Sequence, residues 1–88
     1  MRTRDIIVRC EHGLHARVAA SVVKLARDRE STVQIRCKGC APANACSIME
    51  LLMLGAGQGT RLQIVADGPD EDATVEAVAE VFKDGSGI

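Results

Sequence analysis

The spacing of apolar residues changes period several times along the chain, and each change marks an element. From Thr3 to Cys10 the pattern is that of a strand: Ile6 and Val8 share one face, Cys10 can extend it, and Ile7 points the other way. Ala19, Val22, Val23 and Ala26 then recur at helical spacing, predicting a first helix from about Ala16 to Arg27. Thr32 to Cys37 returns to alternation, with Val33, Ile35 and Cys37 inward and Gln34 and Arg36 outward. Lys38-Gly39 reads as a two-residue turn into a short third strand beginning at Cys40, which Pro42 keeps short or at a sheet edge. A second helix is expected from Ile48 to Leu54, stopped by Gly55, and Gly55 to Gly59 is a loop. Arg61 to Ala66 forms the last strand, with Leu62, Ile64 and Ala66 on one face. Asp67-Gly68-Pro69-Asp70 turns into a third helix that starts at Pro69 or Asp70 and runs to Lys83. Val75, Val78, Ala79 and Phe82 form its buried stripe, acidic residues open it and Gly85 ends it.

This βαββαβα order suits an α+β fold in which one largely antiparallel four-stranded sheet is covered on a single face by three helices. The 88 residues are expected to form one domain with one core.

The second helix does not fit a simple buried role. Ser47-Ile48-Met49-Glu50 has the form of a capping box, in which the serine oxygen accepts from the Glu50 amide and the Glu50 carboxylate reaches back. The helix itself is apolar almost all round, and a short helix on one sheet cannot bury every such residue. Some of Ile48, Met49 and Leu52 are therefore expected at the surface, where an apolar cluster marks a partner site. The competing reading is that they close the core or a dimer contact.

Composition narrows the function. Phe82 is the only aromatic residue, so no platform for stacking bases exists. Eleven basic residues are balanced by twelve acidic ones, for a net charge of −1. Both features argue against nucleic-acid binding. The run Ile6-Ile7-Val8 is too short for a signal peptide, and no later stretch is apolar enough to span a bilayer. A cytoplasmic protein without membrane insertion is expected, with Cys10, Cys37, Cys40 and Cys46 as thiols unless they bind metal or do redox work.

Candidate chemistry lies in Gly13-Leu14-His15-Ala16-Arg17, where a strand gives way to a helix. The first amides of a helix lack intrahelical acceptors and carry the positive end of its dipole. A phosphoryl group on His15 would meet those donors, including the Ala16 amide, with Arg17 near enough to pair with it. An exposed histidine without chemistry is the plainer reading of these five residues. Lys24 and Arg27, three apart, share a helix face and read as a solvated edge or a positive rim toward an acidic partner.

Taken together, the motifs resemble the histidine-containing phosphocarrier (HPr) family of the bacterial phosphoenolpyruvate-dependent phosphotransferase system. Gly13-Leu14-His15-Ala16-Arg17 matches the family's active-site signature. Ser47-Ile48-Met49, followed by Leu52, Leu54 and Gly55, matches its regulatory-serine signature, and Gly68-Pro69-Asp70-Glu71 with Ala73 resembles the opening of its last helix. The resemblance implies an open-faced β-sandwich with strand order 1-4-2-3. It implies that His15 accepts phosphoryl on Nδ1 from enzyme I, held by Arg17, and passes it to IIA components, usually of sugar transporters. It further implies an apolar docking patch at Ile48, Met49 and Leu52, a basic rim at Lys24 and Arg27, no cofactor, and a monomer. At Ser47 it admits a dedicated kinase/phosphorylase and transcription regulators as partners. A regulatory module switched by phosphorylation of His15 or Ser47 is the alternative function.

The chain departs from the family at three places. Val18 stands where proline is usual, which restores an amide donor and loosens the helix start. His12 stands where Asn, Ser or Thr is usual, and can contact the phosphate, titrate beside His15 or face solvent. Cys37-Lys38-Gly39-Cys40 resembles a zinc-knuckle half-site, but no second Cys-x-x-Cys completes four ligands, so no metal is expected.

Overall fold

A computed structural model of the chain describes residues 1–9 and 16–84. Its elements run β1 (Arg2–Ile7), α1 (Ala16–Arg27), β2 (Thr32–Cys37), β3 (Ala43–Asn44), α2 (Ile48–Met53), β4 (Arg61–Asp67) and α3 (Glu71–Asp84). The strands form one antiparallel sheet in the order β1-β4-β2-β3.

Alternation along each strand decides which face is buried. Ile35 of β2 pairs with Ile64 of β4, and Val33 with Ala66, and all four are almost wholly buried. They meet Val18, Ala19, Val22 and Ala26 of α1 and Val75, Val78 and Phe82 of α3 in one hydrophobic core. Gln34 and Arg36 lie exposed on the open face of the sheet. Val65 is buried there without joining the core, because the strands on both sides cover it: Thr3 pairs with it from β1 and Gln34 from β2.

Several boundaries differ from the sequence reading for identifiable reasons. Cys10 lies outside the described residues, and β1 ends at Ile7. Val8 still exchanges backbone hydrogen bonds with the segment leading into β4, through Thr60 O at 2.9 Å and Gly59 N at 2.8 Å. Gly59 has φ of 90°, so the partner segment leaves the extended conformation and the ladder stops. The third strand does not begin at Cys40. Ile35 pairs with Ala43, one residue later than a two-residue turn would give, and Pro42 has no amide to offer the ladder. Two residues at the sheet edge are all that pair. The third helix starts at Glu71, one or two residues later than expected.

The side chain of Val18, where proline is usual in the family, is fully buried and extends the helix's apolar stripe by one position toward the N-terminus.

The turns around α3 are tied down by Asp70. Its carboxylate accepts from the Glu30 amide at 3.0 Å and from the Ser31 hydroxyl, and its carbonyl accepts from the Thr74 amide and hydroxyl at 2.9 and 2.8 Å. These bonds hold the Asp70 carboxyl below its usual range, the Ser31 hydroxyl being the largest cause and the Glu30 amide the next. Gly68 permits the approach: a Cβ there would lie 2.6 Å from Ser31 Cα.

The expectation of four thiols is corrected. Cys37 and Cys40 form a disulfide across the turn, while Cys46 is free and exposed. The Cys40 amide donates to Cys37 O at 3.2 Å, and Gly39 carries φ of 79°. A β-turn with positive φ only at its third residue thus brings the two Cα atoms to 5.3 Å. That separation suits a disulfide.

Candidate functional site

Helix α1 begins at Ala16, the residue after His15. His12, Gly13, Leu14 and His15 lie outside the described residues; the first turn of α1 adjoins the histidine in sequence. Ala16 and Arg17 are both exposed in that turn. The first amides of a helix have no intrahelical acceptor. Glu50 stands in the first turn of α2, and Glu71 and Asp72 in that of α3, but α1 has no acidic residue in its own. The positive end of its dipole is left uncompensated by side chains of that turn.

From Arg17 an exposed stripe continues along α1 through Ala20, Lys24 and Arg27 at three- and four-residue intervals. A shallow groove of about 500 Å³ separates this stripe from α2, lined by Ala20, Val23, Lys24, Arg27, Asp28 and Ile48. Lys24 and Arg27 are thus brought beside Ile48, although more than twenty residues separate them in sequence. Asp28, which the sequence reading did not single out, places a carboxylate in the same groove.

The far wall is the apolar face of α2. Leu51 alone of this helix is buried. Ile48 is 41% exposed, Met49 71%, Leu52 37% and Met53 80%. The expectation of exposed apolar residues therefore holds for all three that were named. Met53 was missed, although it lies four residues beyond Met49 and shares its face.

Ser47 begins this helix with φ of −120° and ψ of 111°, and its Oγ accepts from the Glu50 amide at 3.2 Å. The reciprocal half of the expected capping box does not form. The Ser47 amide already donates to Asn44 O at 2.9 Å, so the Glu50 carboxylate accepts from the Asn44 amide instead, at 3.1 Å. Asn44 Oδ1 accepts from the Cys46 amide at 2.9 Å. Asn44 therefore joins the edge strand to the start of α2, a role with no signal in the local motif. Among the described residues, no group of three or more His, Cys, Asp or Glu side chains could hold a metal ion, and no helix is long and apolar enough to cross a membrane.

The family model "PTS HPr component phosphorylation site" matches residues 2–84. The chain belongs to the HPr family. It is 36% identical over 83 residues to the phosphocarrier protein HPr of Xylella fastidiosa strain 9a5c, covering 94% of this chain and 92% of that one. Among solved structures it is similar to HPr-C-His from Thermoanaerobacter tengcongensis, with a TM-score of 0.90, 32% identity and coverage of 100% and 98%. The Bacillus subtilis catabolite repression protein Crh, described as a swapped dimer, matches with a TM-score of 0.76 and 34% identity over 97% of both chains. Phosphocarrier function in the phosphotransferase system comes with the family, as does the sheet order 1-4-2-3.

Proposed function

We propose that His15 is the phosphoryl acceptor of this phosphocarrier, receiving the group on Nδ1 from enzyme I and donating it to IIA components. One observation carries the reading most directly: α1 begins one residue after His15, and its first turn holds no acid. An anion there meets helix-start amides that lack intrahelical acceptors and a positive dipole end, with Arg17 in the same turn to pair with it. Imidazole is nucleophilic near neutral pH and is a good leaving group when phosphorylated, so one residue serves both transfers. Exposed donors stabilise the adduct moderately and leave it ready for onward transfer. His12 is near enough in sequence to contribute a further contact to the phosphate.

Partners dock over α2 and the groove. Ile48, Met49 and Leu52 supply the apolar contact and Lys24 and Arg27 the basic rim that attracts an acidic partner surface. Ser47 is the regulatory position, open to a kinase/phosphorylase and through it to transcription regulators. A phosphate on it would be tolerated by the start of α2 yet would place a dianion beside the apolar face. The protein works in the cytoplasm as a monomer.

Incubation with enzyme I and phosphoenolpyruvate tests the reading. An acid-labile adduct should form on the wild-type chain and be lost in His15→Ala. No label with an active cognate enzyme I would sink it.

A further inference from the structure

A cleft of about 1030 Å³ lies at one end of the sheet and shares no residue with the groove between α1 and α2. Cys37 lines it, together with six basic residues and only two acidic ones, Asp5 and Glu80. Arg4 is paired with Glu76. The other five, Arg36, Lys38 and Arg61 among them, form no ion pair among the described residues. In a chain of net charge −1, the cleft that Cys37 lines is locally rich in positive charge.

The disulfide adds little as a staple, since it joins the ends of a four-residue turn that the Cys40 amide and Cys37 carbonyl already close. Its two sulfurs differ in setting. Cys40 is exposed, whereas Cys37 is half-buried against the core and faces the basic cleft. From this asymmetry we propose that Cys37–Cys40 is a reversible thiol–disulfide exchange site for a small anionic thiol of the glutathione class.

The reductant thiolate attacks Cys40 Sγ, forming a mixed disulfide. The Cys37–Cys40 bond breaks, and its electron pair leaves on Cys37 Sγ as a thiolate. A second reductant thiolate then attacks the reductant sulfur of the mixed disulfide and releases Cys40 as a thiolate. Two reductant thiols become one disulfide, and the cysteine pair gains the two electrons; the oxidised thiol reverses both steps. Positive charge near Cys37 stabilises the departing thiolate and speeds its departure. The same charge raises the local concentration of an anionic reductant.

The test uses the full chain with Cys10→Ser and Cys46→Ser, so that only this pair can react. Reduction rates with glutathione and with neutral mercaptoethanol are measured at one pH, at low and high salt, with and without Lys38→Glu and Arg61→Glu. The proposal expects the charge reversals to slow glutathione by about tenfold or more at low salt and mercaptoethanol by less. High salt should narrow the glutathione difference, and Lys38→Arg with Arg61→Lys should retain the wild-type rates. Rates within twofold for both thiols in the reversed variant would overturn it, as would equal slowing of both thiols without salt dependence.

Discussion

Ser47 caps α2 and is also the proposed regulatory position, and substitution can pull the two apart. Its Oγ accepts the Glu50 amide at 3.2 Å at the start of a helix of only six residues. In Ser47→Ala that donor loses its side-chain partner, while the Asn44–Glu50 bond at 3.1 Å remains. Loss of a serine cap costs about 1 kcal/mol. For a domain of this size that corresponds to a fall in Tm of roughly 4–8 °C. In Ser47→Asp the carboxylate can cap the same amide, and aspartate ranks with serine as a cap. The helix dipole favours its charge, although the Glu50 carboxylate opposes it. Stability should therefore stay within about 0.5 kcal/mol of wild type. Docking should follow the opposite order. Alanine leaves the exposed apolar face of Ile48, Met49 and Leu52 unchanged, whereas aspartate adds a charge that an apolar contact must desolvate. One poorly compensated charge costs at least about 1.4 kcal/mol, or tenfold. Far-UV circular dichroism melts give the first quantity and the kcat/KM of enzyme I toward each variant the second. The reasoning fails if Ser47→Ala loses transfer as much as Ser47→Asp does, or if the aspartate variant transfers within twofold of wild type.

Gly68→Ala forces a Cβ to 2.6 Å from Ser31 Cα, so backbone must move. A loss of about 1–3 kcal/mol is expected in urea denaturation, and Ser31→Gly should not restore it, because the clash is with Cα. Acid should destabilise the fold partly through Asp70, whose carboxyl is held below its ordinary value by Ser31 and Glu30. That contribution is present above the unfolded-state pKa and is lost as pH falls through the folded one, so the window lies below about pH 4. Asp70→Asn should be less stable at pH 7 and show a flatter fall in stability through that window, and an unchanged acid profile would refute the assignment. Replacing Cys37 and Cys40 by serine removes closure of only a four-residue loop, worth no more than about 2 kcal/mol; a loss of about 4 kcal/mol or more in thermal melts would mark the bond as structural.

The limits of legibility follow from the range of each interaction. Helix α1 and strand β2 were readable to the residue, because their burial patterns have a single period over six or more positions. The exposed face of α2 was readable because a helix bearing Ile48, Met49, Leu51, Leu52 and Met53 offers more apolar side chains than one sheet can cover. Where an element's end depends on a distant partner, local pattern fails. Gly59 stops the β1 ladder from the segment before β4, and Asn44 takes the Glu50 carboxylate that the capping motif assigns to Ser47. The bonds from Glu30 and Ser31 to Asp70 span about forty residues and have no local signature. Cys37-x-x-Cys40 left thiol, metal and redox chemistry open, and only the turn geometry joined the two sulfurs. The proposed phosphate site rests on a histidine before a helix; α1 does begin at Ala16, and His15 itself lies outside the described residues.

The central claim is that His15 carries the phosphoryl group. The most direct measurement is phosphorus NMR of the chain after incubation with enzyme I and phosphoenolpyruvate, repeated on His15→Ala. A single Nδ1-phosphohistidine signal that acid abolishes, and that the variant lacks, is the predicted result. An unchanged signal in His15→Ala, or phosphate found on another residue of the wild-type chain, would contradict the account.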